Sequence, residues 1–310
     1  MKHPLSTTIT LLTFFLATQL IGLFLVHLAM PVTQAPDGTI VVQAPDTAVG
    51  PPPETTDVGA LFLLLIGVTI GTLLILLLVK LRKYNLWKLW FFLAAGLTMT
   101  ISFGVLLGDT YYYLAGLLGF VLAAIKVFRP NPYIHNFTEL FIYPGIAVLF
   151  YHILSVPVML VLLAIISVYD IVAVFKSKHM VAMANFQTTS NVFAGLAIPR
   201  VGANKVTATP NHTPKKSVSS SKPKKGSAIA VLGGGDIALP LLFGAVVLKS
   251  LVETGVSPSS ALALSAIIAV TSTLFLALLF FFSQRGKFYP AMPTVSAGAI
   301  LGWLIILLLI

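Results

Sequence analysis

The sequence predicts an all-α polytopic membrane protein with nine transmembrane helices, its amino terminus in the cytoplasm and its carboxyl terminus outside. Three observations lead there. Hydrophobic residues make up 57% of the chain and charged ones only 9%, whereas soluble domains carry about a quarter charged residues. Apolar runs of about 20 residues, enough to cross a hydrocarbon core of about 30 Å as helix, recur along the whole length. The cations fall almost entirely on one side of those runs.

In chain order the runs are Thr7 to Met30, Val58 to Val79, Leu89 to Leu107, Thr110 to Val127, Phe137 to Leu154, Pro157 to Phe175, Ser227 to Leu251, Pro258 to Phe282 and Pro290 to Ile310. The first exceeds the usual apolar core of a signal peptide and no small-x-small cleavage site follows, so it reads as a retained anchor. The fourth and fifth have the least distinct ends, because their connectors are short and "FIYPG" interrupts the second of them. The spans form a single membrane domain over residues 1–310. Between the first two spans lies an acidic external loop, 31–57, whose "APD" and "PPP" argue against a packed core. The basic cytoplasmic loop 176–226 is the largest polar piece. From about 201 to 226 it is Ser, Thr, Pro and Lys without apolar periodicity, a flexible linker. Before that, Met180, Met183 and Phe186 recur at helical spacing, which fits an extension of the sixth helix, an interfacial helix or an irregular loop.

All but Lys249 of the 19 Lys and Arg residues fall on one side of this map. Asp37, Asp46, Glu54, Asp57, Asp109 and Glu253 fall on the other. The positive-inside rule assigns the first side to the cytoplasm and supports an odd number of spans. The net charge of +10 is therefore a topology signal, and nucleic acid is not an expected partner. Cysteine is absent, HExxH is absent, and the six His residues lack ligand spacing, so neither metal nor cofactor is expected. "NFT" at Asn136 and "NHT" at Asn211 match glycosylation acceptors but lie on the cytoplasmic side.

Glu139 sits at the cytoplasmic edge of the fifth span, within reach of interfacial water. Only Asp170 and Asp236 are left at membrane depth, and no Lys or Arg in the spans is placed to pair with them. Asp170 lies about 9 Å before Lys176 on a helix, and Asp236 about 13 Å after Ser227, so antiparallel neighbours would bring the two acids to one level. The surroundings of Asp236, "VLGGGDIALP", are costly inside a membrane helix. Each glycine costs about 1 kcal/mol against alanine, and an Asp at the centre of a span about 2.5–3.5 kcal/mol on insertion scales. Gly233 would share a face with Asp236, and Pro240 has no amide to donate to the carbonyl of Asp236, so the helix is loosened on both sides of the acid. Freed backbone at this depth requires protein or water beside it. An intramembrane Asp can be a satisfied core residue, here with Tyr169, Ser167 or Thr98 as partners, and Gly233, Gly234 and Gly235 can be a packing surface. The coincidence of both costs in one tetrapeptide favours a site.

Two carboxyls about 3 Å apart share one proton. The ionised one can deprotonate water for attack on a peptide carbonyl, and the protonated one can polarise that carbonyl and protonate the leaving nitrogen. This is aspartyl proteolysis. A helical substrate would first unwind, and its extended segment could add to exposed backbone near the glycines.

"VYDI" with Tyr169 and Asp170, "GGGD" from Gly233 to Asp236, and "PAMP" from Pro290 through Ala291 and Met292 to Pro293 resemble the YD, GxGD and PAL motifs of the presenilin and signal peptide peptidase aspartyl proteases. Their order, and their position on the sixth, seventh and ninth spans, match that family across nearly the whole chain. Met292 departs from the family's leucine, a nearly volume-conserving change. The resemblance implies cleavage within transmembrane segments, with Asp170 and Asp236 as the catalytic dyad and the Pro290 motif shaping the site. It also implies a structured segment over Met180 to Phe193. A cytoplasmic amino terminus selects the presenilin-like orientation and, with it, single-span substrates whose amino termini lie outside the cell membrane. The compact chain looks more like a microbial homologue than an animal presenilin, and self-association is left open. A proton- or cation-coupled transporter using the same acids is the rival reading, against which stands the lack of paired broken helices in two corresponding halves. A purely structural scaffold would leave two unpaired Asp residues without a purpose.

Overall fold

The apolar runs appear in the computed structural model as nine α-helices among the described residues, which are 4–36, 39–51, 55, 57–177, 192–199, 229–284 and 289–310. They are α1 (Leu5–Ala29), α2 (Asp57–Leu81), α3 (Tyr84–Leu107), α4 (Tyr112–Phe128), α5 (Pro132–Phe150), α6 (Val156–Val172), α7 (Gly234–Glu253), α8 (Pro258–Phe282) and α9 (Met292–Leu309). Seven are long and apolar enough to cross a membrane, α6 together with the turn that carries it on to Lys176; α4 is shorter, at 17 residues, and α5 carries His135, Asn136 and Glu139 in its first half. The helix of "FIYPG" is unbroken: α5 runs through Pro144.

Packing ranks the helices. In α7, 72% of the most apolar stretch is buried, against 6% in α2. Thus α7 is the centre of the bundle, touched by α1, α5, α6, α8 and α9, while α2 leans on α3 and α6 from the edge. A helix apolar on all sides belongs inside, and Leu241, Phe243, Ala245, Val246 and Leu248 are fully enclosed. From α1 the buried Gln19 reaches across and donates its Nε2 to the carbonyl of Ile237 at 2.8 Å, tying α1 to the first turns of α7.

Two short antiparallel strand pairs complete the described structure. In the first external loop β1 (Val32–Gln34) pairs with β2 (Ile40–Val42), Val32 opposite Val42. That loop was expected to lack a packed core of its own; its β2 touches α7, with Ile40 and Val42 packed against the main apolar cluster. The second pair joins β3 (Gly195–Pro199) to β4 (Ile229–Gly233), Gly195 opposite Gly233 and Ala197 opposite Val231. Leu196, Ile198, Ala230 and Leu232 are buried while Val231 is exposed, the period-2 alternation of a half-buried sheet. Gly195 is the one residue that fits its place: its φ is +137°, and a side chain there would collide with the carbonyl of Leu232.

The second pair corrects the sequence reading. The seventh span was expected to start at Ser227 and carry "GGGD" nine residues deep. It starts at Gly234, and the residues before it are β4. A short buried apolar run such as "IAVLG" has no periodicity to tell strand from helix, and here pairing with β3 decides. The expected structured segment at 180–193 and the flexible linker at 201–226 lie outside the described residues, apart from Val192 and Phe193, which are in neither helix nor strand.

Candidate active site

Gly233 is the N-cap of α7, with φ −65° and ψ 148°, which puts Gly234, Gly235 and Asp236 in the first turn. The helix-interior penalties expected for "GGGD" therefore do not apply. The first amides of a helix have no partner within it, and an acid at the third position can reach back to the N-cap amide. Asp236 does so, accepting a hydrogen bond from the backbone N–H of Gly233. A negative charge there is also favoured by the helix dipole, by about 0.3–1 kcal/mol at exposed sites. Only 8% of Asp236 is exposed.

The three glycines differ in what surrounds them. A methyl group on Gly233 would lie 3.2 Å from Oδ2 of Asp236, and one on Gly234 would lie 2.8 Å from the hydroxyl of Tyr143, whereas one on Gly235 would meet nothing within 4 Å. Gly233 and Gly234 thus allow close approach of the acid and of α5. Gly235 faces open space. Pro240 is buried inside α7, where its missing amide leaves the carbonyl of Asp236 without that donor.

Asp170 comes from the opposite end of a helix. It lies in the last turn of α6, just before the chain changes to a π-helical turn over Ala173–Ser177. Its Oδ2 accepts the backbone N–H of Met292 at 3.1 Å, and the Ala291 amide also hydrogen-bonds it. Those amides belong to the N-terminus of α9, where Ala291 is the N-cap and Pro293 sits within the first two positions. Proline is tolerated there because its amide would have had no helical partner, and a helix N-terminus is a ready anion site. "PAMP" therefore serves Asp170 through its main chain. Met292 directs its side chain into the core, 3% exposed, so the departure from leucine leaves the contact intact.

The two acids lie close enough for the charge of Asp170 to act on Asp236. Each is held by helix N-terminal amides, Asp236 by its own helix and Asp170 by α9. The side chains suggested as partners are engaged elsewhere or turned away. Ser167 donates to Oγ of Ser296 at 3.2 Å, Thr98 donates to the carbonyls of Ala94 and Ala95, and Tyr169 is half-exposed on the surface of α6.

A second polar group was missed by sequence reasoning. Glu139 was expected to reach interfacial water, and Lys126 was counted among the cytoplasmic topology charges. Both are buried, 1% and 3% exposed, and Nζ of Lys126 donates to Oε1 of Glu139 at 2.6 Å. Oγ1 of Thr138 at 3.0 Å, the carbonyl of His135 at 3.1 Å and Nδ1 of His135 at 3.2 Å surround the same Nζ, so that its three N–H groups have four acceptors to share. Such saturation of donors is what a buried ammonium requires. The short connector between α4 and α5 makes the two helices neighbours, but their relative rotation, which brings both residues to one seam, has no local signal. Tyr143, one turn beyond Glu139, was also missed. Among the described residues, no group of three or more His, Asp or Glu side chains could hold a metal ion.

A sequence model described as "Signal-peptide peptidase, presenilin aspartyl protease" matches residues 13–310. No curated protein matches significantly. Among solved structures, a presenilin family intramembrane aspartate protease in a C222 crystal form is similar at 20% identity and a TM-score of 0.58, over 98% of this chain and 99% of that one. One in a P2 form is similar at 21% identity and a TM-score of 0.58, over 97% of each chain. These likenesses show a shared fold, and neither they nor the family match supports the transporter reading. A multi-pass membrane chain that the family model matches over nearly its whole length, this protein belongs to the signal-peptide peptidase and presenilin family of intramembrane aspartyl proteases.

Proposed function

We propose that Asp170 and Asp236 are the catalytic dyad, hydrolysing peptide bonds within single-span membrane proteins whose amino termini lie outside. The observation that carries this reading is that acids from two different helices lie within electrostatic reach of each other, each bound by helix N-terminal amides. Two carboxyls in an apolar setting share a proton, so one is base and the other acid. The base removes a proton from water as it attacks the scissile carbonyl. The acid donates a hydrogen bond to the developing oxyanion, and a proton then passes to the leaving nitrogen.

A transmembrane helix shields its peptide bonds, so the substrate must be extended at the point of cutting. An open strand edge suits this, because main-chain pairing stabilises an extended segment whatever its side chains. Among the described residues β4 pairs only with β3, and its other edge runs directly into Gly233 and Asp236. A substrate strand added along Val231 to Gly233 is delivered to the acid.

The test is reconstitution of the protein alone in liposomes with a single-span reporter, beside Asp170→Asn and Asp236→Asn. New fragments cut within the span are expected from the wild type and from neither variant. Fragments that persist in either variant would remove that residue from the chemistry.

A further inference from the structure

We propose that Asn136 of α5 is a positioning residue that closes the outer edge of β3 and so leaves the β4 edge, beside Asp236, as the one that takes substrate. The inference rests on the strand-addition reading above.

The side chain of Asn136, 4% exposed, makes the two hydrogen bonds that a neighbouring strand would make. Its Nδ2 donates to the carbonyl of Ala197 at 2.9 Å, and its Oδ1 accepts the N–H of Ala197 at 3.0 Å. Two residues along, Nε2 of His135 donates to the carbonyl of Gly195 at 2.7 Å. In a strand, the polar groups of alternate residues point to the same edge. Gly195 and Ala197 therefore face α5, and Leu196 and Ile198 face β4.

The same parity carries across the ladder. Ala197 lies opposite Val231, and because its own N–H and C=O are taken by Asn136, this is a non-hydrogen-bonded pair. The N–H and C=O of Val231 consequently point outward from β4, as does the carbonyl of Gly233. The bond from the N–H of Gly234 to the carbonyl of Ala194 has the parity this requires. An unpaired edge is where another chain adds, and Asn136 has removed one of the two edges from competition.

The clamp also has a rigid base. Lys126 donates to Nδ1 of His135 and is paired with Glu139, so the residue before Asn136 is held by a buried ion pair between α4 and α5. Since β4 continues without a break into Gly233 and α7, a displacement of β3 passes to β4 and to the carboxyl of Asp236.

The experiment uses the full chain in liposomes with the single-span reporter, comparing wild type, Asn136→Ala, Ala197→Pro and the double variant. Proline at Ala197 removes the same N–H from the other partner and is compatible with an edge strand, so the test survives if either single variant fails to fold. Fragment masses locate the cut bonds, and initial rates separate kcat from KM. Each single variant is expected to lower kcat about 10- to 100-fold, the scale of a 1 Å misplacement, and to spread cleavage over neighbouring bonds. The double variant is expected to be no worse than the poorer single one. Cleavage at the wild-type bond and rate in both single variants would overturn the positioning role while leaving the protease reading standing. A wild type that cuts nothing would overturn the protease reading, and the role of Asn136 with it.

Discussion

The glycines before Asp236 show how far a residue's meaning depends on where its element begins. Inside a membrane helix, three glycines and a carboxylate are a sum of penalties. At a helix start they are an N-cap, a close approach to Tyr143 and an acid bonded to the N-cap amide. The difference is measurable between adjacent positions. Gly234→Ala is expected to force apart α5 and α7 at Tyr143, lowering stability by about 1–3 kcal/mol as overpacking does. Gly235→Ala, whose methyl meets nothing within 4 Å, is expected to leave stability unchanged or slightly raised. Thermal unfolding of the purified variants in detergent compares the two, and equal losses would contradict the placement of Tyr143.

At the scale of elements, the seam between α4 and α5 and the β3–β4 pair act together. A buried ion pair is costly to break at one partner, about 3–5 kcal/mol, because the other charge remains unpaired. Lys126→Met is expected to destabilise on that scale, and Lys126→Met with Glu139→Leu to recover most of the loss; denaturant unfolding of both reads the difference. Little of this pair was legible in the sequence. Lys126 follows an apolar run and reads as a membrane-edge charge, and Glu139 follows a polar stretch and reads as its wetted counterpart. Whether two such residues meet depends on how α4 and α5 rotate against each other, which no local pattern encodes. β4 was illegible for a related reason. Its five residues are compatible with strand or helix, and a partner separated by the whole 200–228 segment decides between them.

At the scale of the whole molecule, charge asymmetry predicts orientation. The absence of cysteine makes that directly testable, because a single introduced cysteine reports on one side. In intact cells, Gln43→Cys is expected to react with a membrane-impermeant maleimide and Ser217→Cys only after lysis. The opposite pattern would place the amino terminus outside and reverse the expected substrate orientation. Most of the architecture was visible from hydropathy, because lipid demands helices of a fixed length wherever a chain crosses it. The described helices follow the expected spans closely at α1, α2, α8 and α9, and less closely at α3 and α5, which start at Tyr84 and Pro132 rather than Leu89 and Phe137, and at α7, which starts at Gly234 rather than Ser227.

Local patterns were enough for the membrane class, most of the spans and the two acids worth attention, since long apolar runs and intramembrane carboxylates are local signals with large energies. That "GGGD" starts a helix, that "PAMP" binds Asp170 through backbone amides, and that Asn136 stands in for a strand came from the folded chain. Those facts are hydrogen bonds between segments far apart in the chain. Each depends on parity, rotation and N-cap position, and a shift of one residue reverses it without changing composition or hydropathy.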